Sequence, residues 1–143
     1  MTGGTVFEPE EQIESLDAAS CARLLGSTQF GRLAVVAEGK PKIIVLNHAV
    51  IGQDVLFRTS PEAFLVGATE GEATLEAVYE VDSAFPVGRS GWSVIAAGRV
   101  GREQDEKRIA AALSRVGPWA NGDRDVVLCL TVEELTGRRV GPL

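Results

Sequence analysis

The chain of 143 residues has a single histidine, His48, and only two cysteines, Cys21 and Cys129, which stand 108 positions apart. A zinc centre or a dithiol redox pair needs its ligands or thiols clustered at short spacing, and neither pattern occurs here. Each cysteine sits in an apolar string, Cys21 in ASCARLL and Cys129 in VVLCL. The composition around them predicts buried small hydrophobes. Also missing are a Walker loop, GxGxxG, GxSxG and HExxH, which leaves hydrolase and nucleotidase readings without a motif. No apolar run approaches the roughly 20 residues of a spanning helix. The start, MTGGTVFEPEEQ, has neither the basic end nor the apolar stretch of a secretory signal, so a cytoplasmic location without a membrane partner is expected.

Lysine is scarce as well: Lys40, Lys42 and Lys107 stand against eleven arginines. The formal net charge of −6 is unevenly spread. Glu8, Glu10, Glu11, Glu14 and Asp17 lie in the first 17 residues without a balancing base, and the remainder carries fifteen acids against fourteen bases. A near-neutral body behind an acidic arm lacks the basic footprint that displaces phosphate counterions, which argues against a nucleic-acid partner. The expected organisation is an acidic N-terminal arm over 1–15 and one domain over 16–143. An apolar content of 45% and a charged content of 24% suit a single globular body with a real core.

The pattern within that body is mostly β. Asp17 is placed to cap a short helix over 18–25, where Ala18, Cys21, Ala22 and Leu25 recur at helical spacing and Gly26 supplies the stop. Residues 30–37 and 42–50 are β-branched runs split by the turn EGKP, and Val55–Thr59 follows another turn. Pro61 opens a short helix or turn over 61–68. In residues 73–82, Leu75, Ala77, Tyr79 and Val81 alternate with Thr74, Glu76 and Glu80, the period of a half-buried strand. Trp92–Val100 is apolar on both faces, which predicts a central strand or a subunit contact. Glu103–Arg115 reads as a helix with Glu103, Asp105 and Glu106 in its first turn, and 125–132 as the last strand. Six strands in adjacent runs with two or three short helices predict a mainly β, antiparallel, closed or nearly closed barrel.

Few residues carry chemistry by type. Arg58 and Thr59, at a strand end, can offer a guanidinium fork and a hydroxyl to a phosphate, or can be an ordinary exposed strand end. Trp92 beside Ser93 suits a planar heterocycle, and packing in a core or a subunit contact suits it equally. His48 reads as a strand residue facing solvent or a groove in preference to a catalytic acid-base, and Arg32 and Arg99 as structural side chains with free heads.

Taken together, LL-x5-GRL (Leu24 to Leu33), Pro-x-Ile-x3-Asn (Pro41 to Asn47), FRT (Phe57 to Thr59), GWSV (Gly91 to Val94), Pro118-Trp119 and TGRR (Thr136 to Arg139) occur in an order that resembles the pyridoxamine 5′-phosphate oxidase-like split barrels that bind FMN. The closest resemblance is to their small actinobacterial, nitroimidazole-reductase-like branch. It covers residues 16–140. What it implies is a six-stranded split barrel forming a homodimer with two flavin sites at the interface. Val45, Leu46 and Asn47 would run along the isoalloxazine edge, Arg58 and Thr59 would hold the phosphate, and Trp92 and Ser93 would approach from the neighbouring subunit. Glu62 and Phe64 stand where relatives carry Gly and Lys, which removes a cation from the expected phosphate contact.

Three functions follow as expectations. The first is an oxidoreductase using FMN or a deazaflavin, in which the cofactor does the hydride chemistry and no side chain need act as acid or base. The second is a non-catalytic binding protein for a flavin, a haem-like group or another small planar ligand. The third is a degenerate barrel that has lost FMN.

Overall fold

The computed structural model describes residues 13–61, 63–118 and 122–141. The elements run β1 (Ile13–Ser15), α1 (Ala18–Gly26), β2 (Phe30–Ala37), β3 (Lys40–Ile51), β4 (Asp54–Thr59), α2 (Phe64–Ala68), β5 (Leu75–Phe85), β6 (Ser90–Arg102), α3 (Glu106–Arg115) and β7 (Val126–Val140). All strand pairings are antiparallel, in the order β1-β7-β4-β3-β2-β5-β6, and a further β7–β6 pairing closes the ring. Six strands thus form the barrel expected from the sequence. The seventh, β1, is a short addition from the acidic segment, set against the far end of β7 with Ile13 opposite Val140.

Closure depends on β7. Its first part, Val126–Leu130, pairs with β4, while Leu128–Val140 pairs with β6. The sequence reading ended this strand near Val132, but it runs on through Glu133–Arg139 because an irregularity at Ala97/Gly98 bends the β6–β7 ladder. Gly98 lies so close to the Thr131 backbone that a side chain could not be placed there.

Helix boundaries differ in two places. The third helix begins at Glu106, not Glu103, because Asp105 is its N-cap: the Asp105 carboxylate accepts from Lys107 N at 2.8 Å and Arg108 N at 3.2 Å. The Glu103 backbone still donates to Val127 O, which keeps it with the sheet. The second helix is confined to Phe64–Ala68 and lacks a side-chain cap. The first behaves as the spacing requires, with Asp17 accepting from Ser20 N at 2.8 Å and Cys21 and Leu25 buried.

Alternation sorts the strand residues. Leu33, Val35, Leu46, Val55, Phe57, Ala77, Tyr79, Val81, Val94, Ala96, Leu128 and Leu130 face inward and form the core, with Cys21 and Leu25 of α1 closing one end. The outer sides of β4 and β7 are covered by α3, where Leu56, Val127 and Cys129 meet Ala112 and Val116. Each fully covered Leu or Val is worth roughly 1.5–3 kcal/mol of transfer free energy, so the interior accounts for most of the driving force. Both cysteines are buried and unpaired. Among the described residues no helix is long and apolar enough to cross a membrane.

Candidate functional site

The same alternation that fills the barrel leaves an uncovered outer face on β3, β2, β5 and β6. Ile43, Val45 and Asn47 of β3 lie opposite Ala34, Arg32 and Phe30 of β2. Beyond them, Ala34 faces Val78 and Arg32 faces Glu80 on β5; Val78 and Glu80 in turn face Ala97 and Ile95 on β6. Among the described residues no helix covers this side. Val36, Ile43 and Val45 are 61%, 72% and 64% exposed, and Phe30, Val78 and Ile95 are partly exposed beside them. Scattered apolar residues are normal on a surface, but a contiguous block spanning four strands marks a contact or ligand surface. A trough of about 450 Å³, with Ala34, Val36, Pro41, Val78, Ala97 and Gly98 in its lining, runs across the block.

Charged groups interrupt the apolar face: Glu76 and Glu133 stand at the trough, and a cluster around Arg32 lies beside it. Arg32 Nη1 reaches Glu80 Oε1 at 3.0 Å and Asp82 Oδ2 at 3.4 Å, and its guanidinium carbon lies 6.0 Å from the Phe30 ring centre. A single cation therefore serves two carboxylates. Partial burial, the hydrogen bond with Asp82 and the charge of Asp82 push the Glu80 carboxyl up to about 7, against the pull of Arg32. The free head expected for Arg32 is not found; its partners lie on β5, with β3 and β4 between in sequence, and carry no local signal.

Behind β3 lies a buried polar chain. His48 is 4% exposed, not turned to solvent or a groove as the sequence reading had it, because it shares the inward parity of Leu46. Its Nδ1 is 2.6 Å from the Tyr79 hydroxyl, which also lies 3.0 Å from Leu46 O. Its Nε2 is 3.2 Å from Thr28 Oγ1 and 3.3 Å from Leu25 O. Burial lowers the His48 pKa, only partly offset by the Leu25 carbonyl, and burial raises that of Tyr79. The phenol lies against Gly31: a Cβ there would come within 2.7 Å of Tyr79 Cζ and 2.5 Å of Glu80 O. This explains the glycine of the GRL motif, which makes room for a ring that spans β2 to tie the Leu46 carbonyl of β3.

The predicted site residues separate into groups. Val45 faces out, Leu46 is buried facing in, and Asn47 is half-buried with its amide donating to Gln29 O at 3.3 Å. Ser93 belongs to the outer face, opposite Asp82 and Arg138. Trp92 has the opposite parity and packs against the core. Within one chain β2 and β5 lie between Val45–Asn47 and Trp92–Ser93, a separation of roughly 14 Å at normal strand spacing, so the fold does not bring these segments together.

Arg58 is turned to the C-terminal end of α3. Its Nε donates to Arg124 O at 2.8 Å, Nη1 donates to Leu113 O and Val116 O at 3.2 and 3.1 Å, and Nη2 lies 3.5 Å from Asp125 Oδ1. The guanidinium thereby satisfies carbonyls that the helix leaves without partners. Thr59 is buried at 4% exposure. Phe64, at the position read as lacking a lysine, has a cation beside it after all: Lys42 Nζ stands 5.4 Å from the ring centre. Glu62 and Trp119 lie outside the described residues. Arg99, also read as having a free head, donates from Nε to Thr74 Oγ1 at 2.9 Å.

Known proteins share this architecture. The sequence profile described as pyridoxamine 5′-phosphate oxidase matches residues 17–139. An uncharacterised protein of Mycobacterium tuberculosis, Rv0080, is 31% identical over 131 residues, which is 90% of this chain and 86% of the relative. A solved FAD binding protein from Mycobacterium smegmatis superposes with a TM-score of 0.72 at 28% identity, over 90% of this chain and 98% of that one. A FAD-binding protein from Mesorhizobium loti has a TM-score of 0.74 at 22% identity, over 91% and 98%. The profile spans most of the chain and the split-barrel architecture agrees with it, and the chain belongs to the pyridoxamine 5′-phosphate oxidase family.

Proposed function

We propose that the chain is a flavin-binding protein of the oxidoreductase type that works as a homodimer in the cytoplasm. The observation that carries this reading is the uncovered β3 edge: Val45 and Asn47 stand on an apolar sheet face that, among the described residues, no element covers. An isoalloxazine laid along this strand would meet a flat apolar surface and backbone polar groups. The Tyr79 and His48 side chains behind it hold the Leu46 carbonyl in place. That the similar Mycobacterium smegmatis protein is a FAD binding protein supports the same ligand class.

Pairing of two copies completes this arrangement. The face bears both projections, Ile43 and Val45, and a receiving trough floored by Ala34, Ala97 and Gly98. A surface with both shapes is self-complementary under a two-fold axis. Such pairing also supplies what one chain lacks, since Ser93 of a second copy can approach the β3 edge of the first.

The residues fit the ring better than they fit a terminal phosphate. With its donors engaged at the end of α3 and on Arg124 O, Arg58 is poorly placed for a phosphate. A phosphomonoester held mainly by Arg58 is therefore disfavoured, and a flavin held chiefly through its ring and a longer tail, FAD, is favoured over FMN. When bound, the flavin supplies the hydride or electron chemistry. The chain's part is to orient the ring by the β3 backbone and to exclude water through the paired faces.

The test is the visible absorption of the protein as purified, followed by titration of flavin-free protein with FMN, FAD and a deazaflavin. FAD is expected to bind most tightly, and Val45→Asp is expected to weaken it about tenfold or more, the effect of a desolvated carboxylate against the ring. A colourless protein with no affinity for any of the three overturns the reading. Reduction of the bound flavin by NADPH or a reduced deazaflavin tests the oxidoreductase assignment.

A further inference from the structure

Resting on the paired face just described, we propose that association of two copies is coupled to proton uptake by the Glu80–Asp82 carboxylate pair, so that the homodimer tightens as pH falls. The geometry is an imbalance of charge in the middle of an apolar surface. Arg32 lies within 3.0 Å of Glu80 and 3.4 Å of Asp82, leaving one uncompensated negative charge per chain. Around it stand Val45, Phe30, Val78 and Ile95.

Among the described residues no neighbouring element adds a second ion pair to the two carboxylates. From β2 the facing charge is Arg32 alone. From β6, Ile95 and Ser93 lie opposite Glu80 and Asp82, and the next charged residue, Arg99, lies opposite Glu76 and donates to Thr74. From β7, Arg138 lies opposite Ser93 and Glu134 opposite Ala97. Arg89 and Arg138 share with Asp82 the rim of a separate concavity, and neither makes an ion pair with it.

In the free chain this excess charge is tolerable, since the three side chains remain 30–45% exposed. Pairing removes water from both copies, and an uncompensated carboxylate in an apolar contact is costly. A proton resolves it: Arg32 with ionised Asp82 and neutral Glu80 has no net charge. The Glu80 carboxyl already titrates at about 7 in the single chain, and further burial raises it. Below neutrality the proton is present before association. Above it the proton must be taken up on association, and that uptake opposes pairing.

The experiment is sedimentation of the full-length protein from about pH 6 to about pH 9 at fixed ionic strength, for the wild type, Glu80→Gln and Asp82→Asn. One proton per chain makes the wild-type dissociation constant rise by up to about a hundredfold per pH unit above neutrality. Either substitution leaves one carboxylate for one guanidinium, so both variants are expected to dimerise with a flat pH response and to outlast the wild type at the alkaline end. A wild-type dimer with a flat response, or an unchanged slope in both variants, overturns the proton coupling while leaving the paired face intact. A wild type that is monomeric at every pH overturns the paired face and the coupling with it.

Discussion

Replacing Arg58 separates two roles that the sequence leaves open. In the structure the guanidinium makes three hydrogen bonds to backbone carbonyls, those of Arg124, Leu113 and Val116, and its side chain is only 19% exposed. Two of these carbonyls belong to the end of α3, where the helix dipole also favours a cation. A charged hydrogen bond contributes about 1.5–3 kcal/mol when well buried, but water can reach the Leu113 contact, so the three together are discounted to about 2–3 kcal/mol. The Asp125 contact, on a side chain 69% exposed, adds little. Arg58→Ala is therefore expected to lower the unfolding free energy by about 2–3 kcal/mol, or the Tm of a chain this size by roughly 7–10 °C. The assays are urea unfolding followed by circular dichroism and, on the same preparations, flavin titration well below the transition. Arg58→Lys restores the charge but not the fork and should recover less than half of the loss. The reasoning is refuted if Arg58→Ala is as stable as the wild type and loses flavin affinity by tenfold or more, because that result places the guanidinium on the ligand.

Two further substitutions test the polar chain behind β3. Gly31→Ala puts a methyl group against the Tyr79 ring and the Glu80 carbonyl and should cost about 1–3 kcal/mol by overpacking, measurable as a lower urea midpoint, with partial recovery when combined with Tyr79→Leu. For His48, burial depresses the folded-state pKa below the ordinary value near 6.5, so the unfolded chain binds the proton more readily. Its contribution to stability is complete above the unfolded pKa and declines as pH falls through about 6.5 toward the folded pKa. His48→Gln should flatten that part of the stability profile, and an unaltered slope would assign it to other groups.

How much was legible in the sequence follows from which contacts are local. Asp17 and Ser20 lie three residues apart, and the cap, the helix and its stop within a residue were all readable. The parity of Leu75, Ala77, Tyr79 and Val81 was equally plain, since a half-buried strand writes its inner face into every second residue. The extension of β7 through Glu133–Arg139 was not, because a charged string reads as a loop unless the bend at Gly98 and the long partner β6 are known. His48 was misplaced for a related reason. A polar residue in an alternating strand is ordinarily assigned to solvent, and its partners come from two other parts of the chain, Leu25 and Thr28 at the end of α1 and Tyr79 on β5.

The site residues show the same division more sharply. Trp92 and Ser93 are adjacent in sequence and were read as one unit, yet adjacent strand residues face opposite sides, and only Ser93 reaches the outer surface. Strand period alone would have separated them. No sequence rule would have placed Arg58 on α3, because its partners are backbone carbonyls 55 to 66 positions away that carry no signature in residue type. Nor could sequence explain why Val36, Ile43 and Val45 remain uncovered, since their alternation is interrupted by nothing that marks an outside. An apolar residue facing inward is accounted for by its own chain. An apolar block facing outward finds none there; under the proposed pairing its explanation is a second copy, and Arg32, Glu80 and Asp82 at its centre would set the pH at which that copy is accepted.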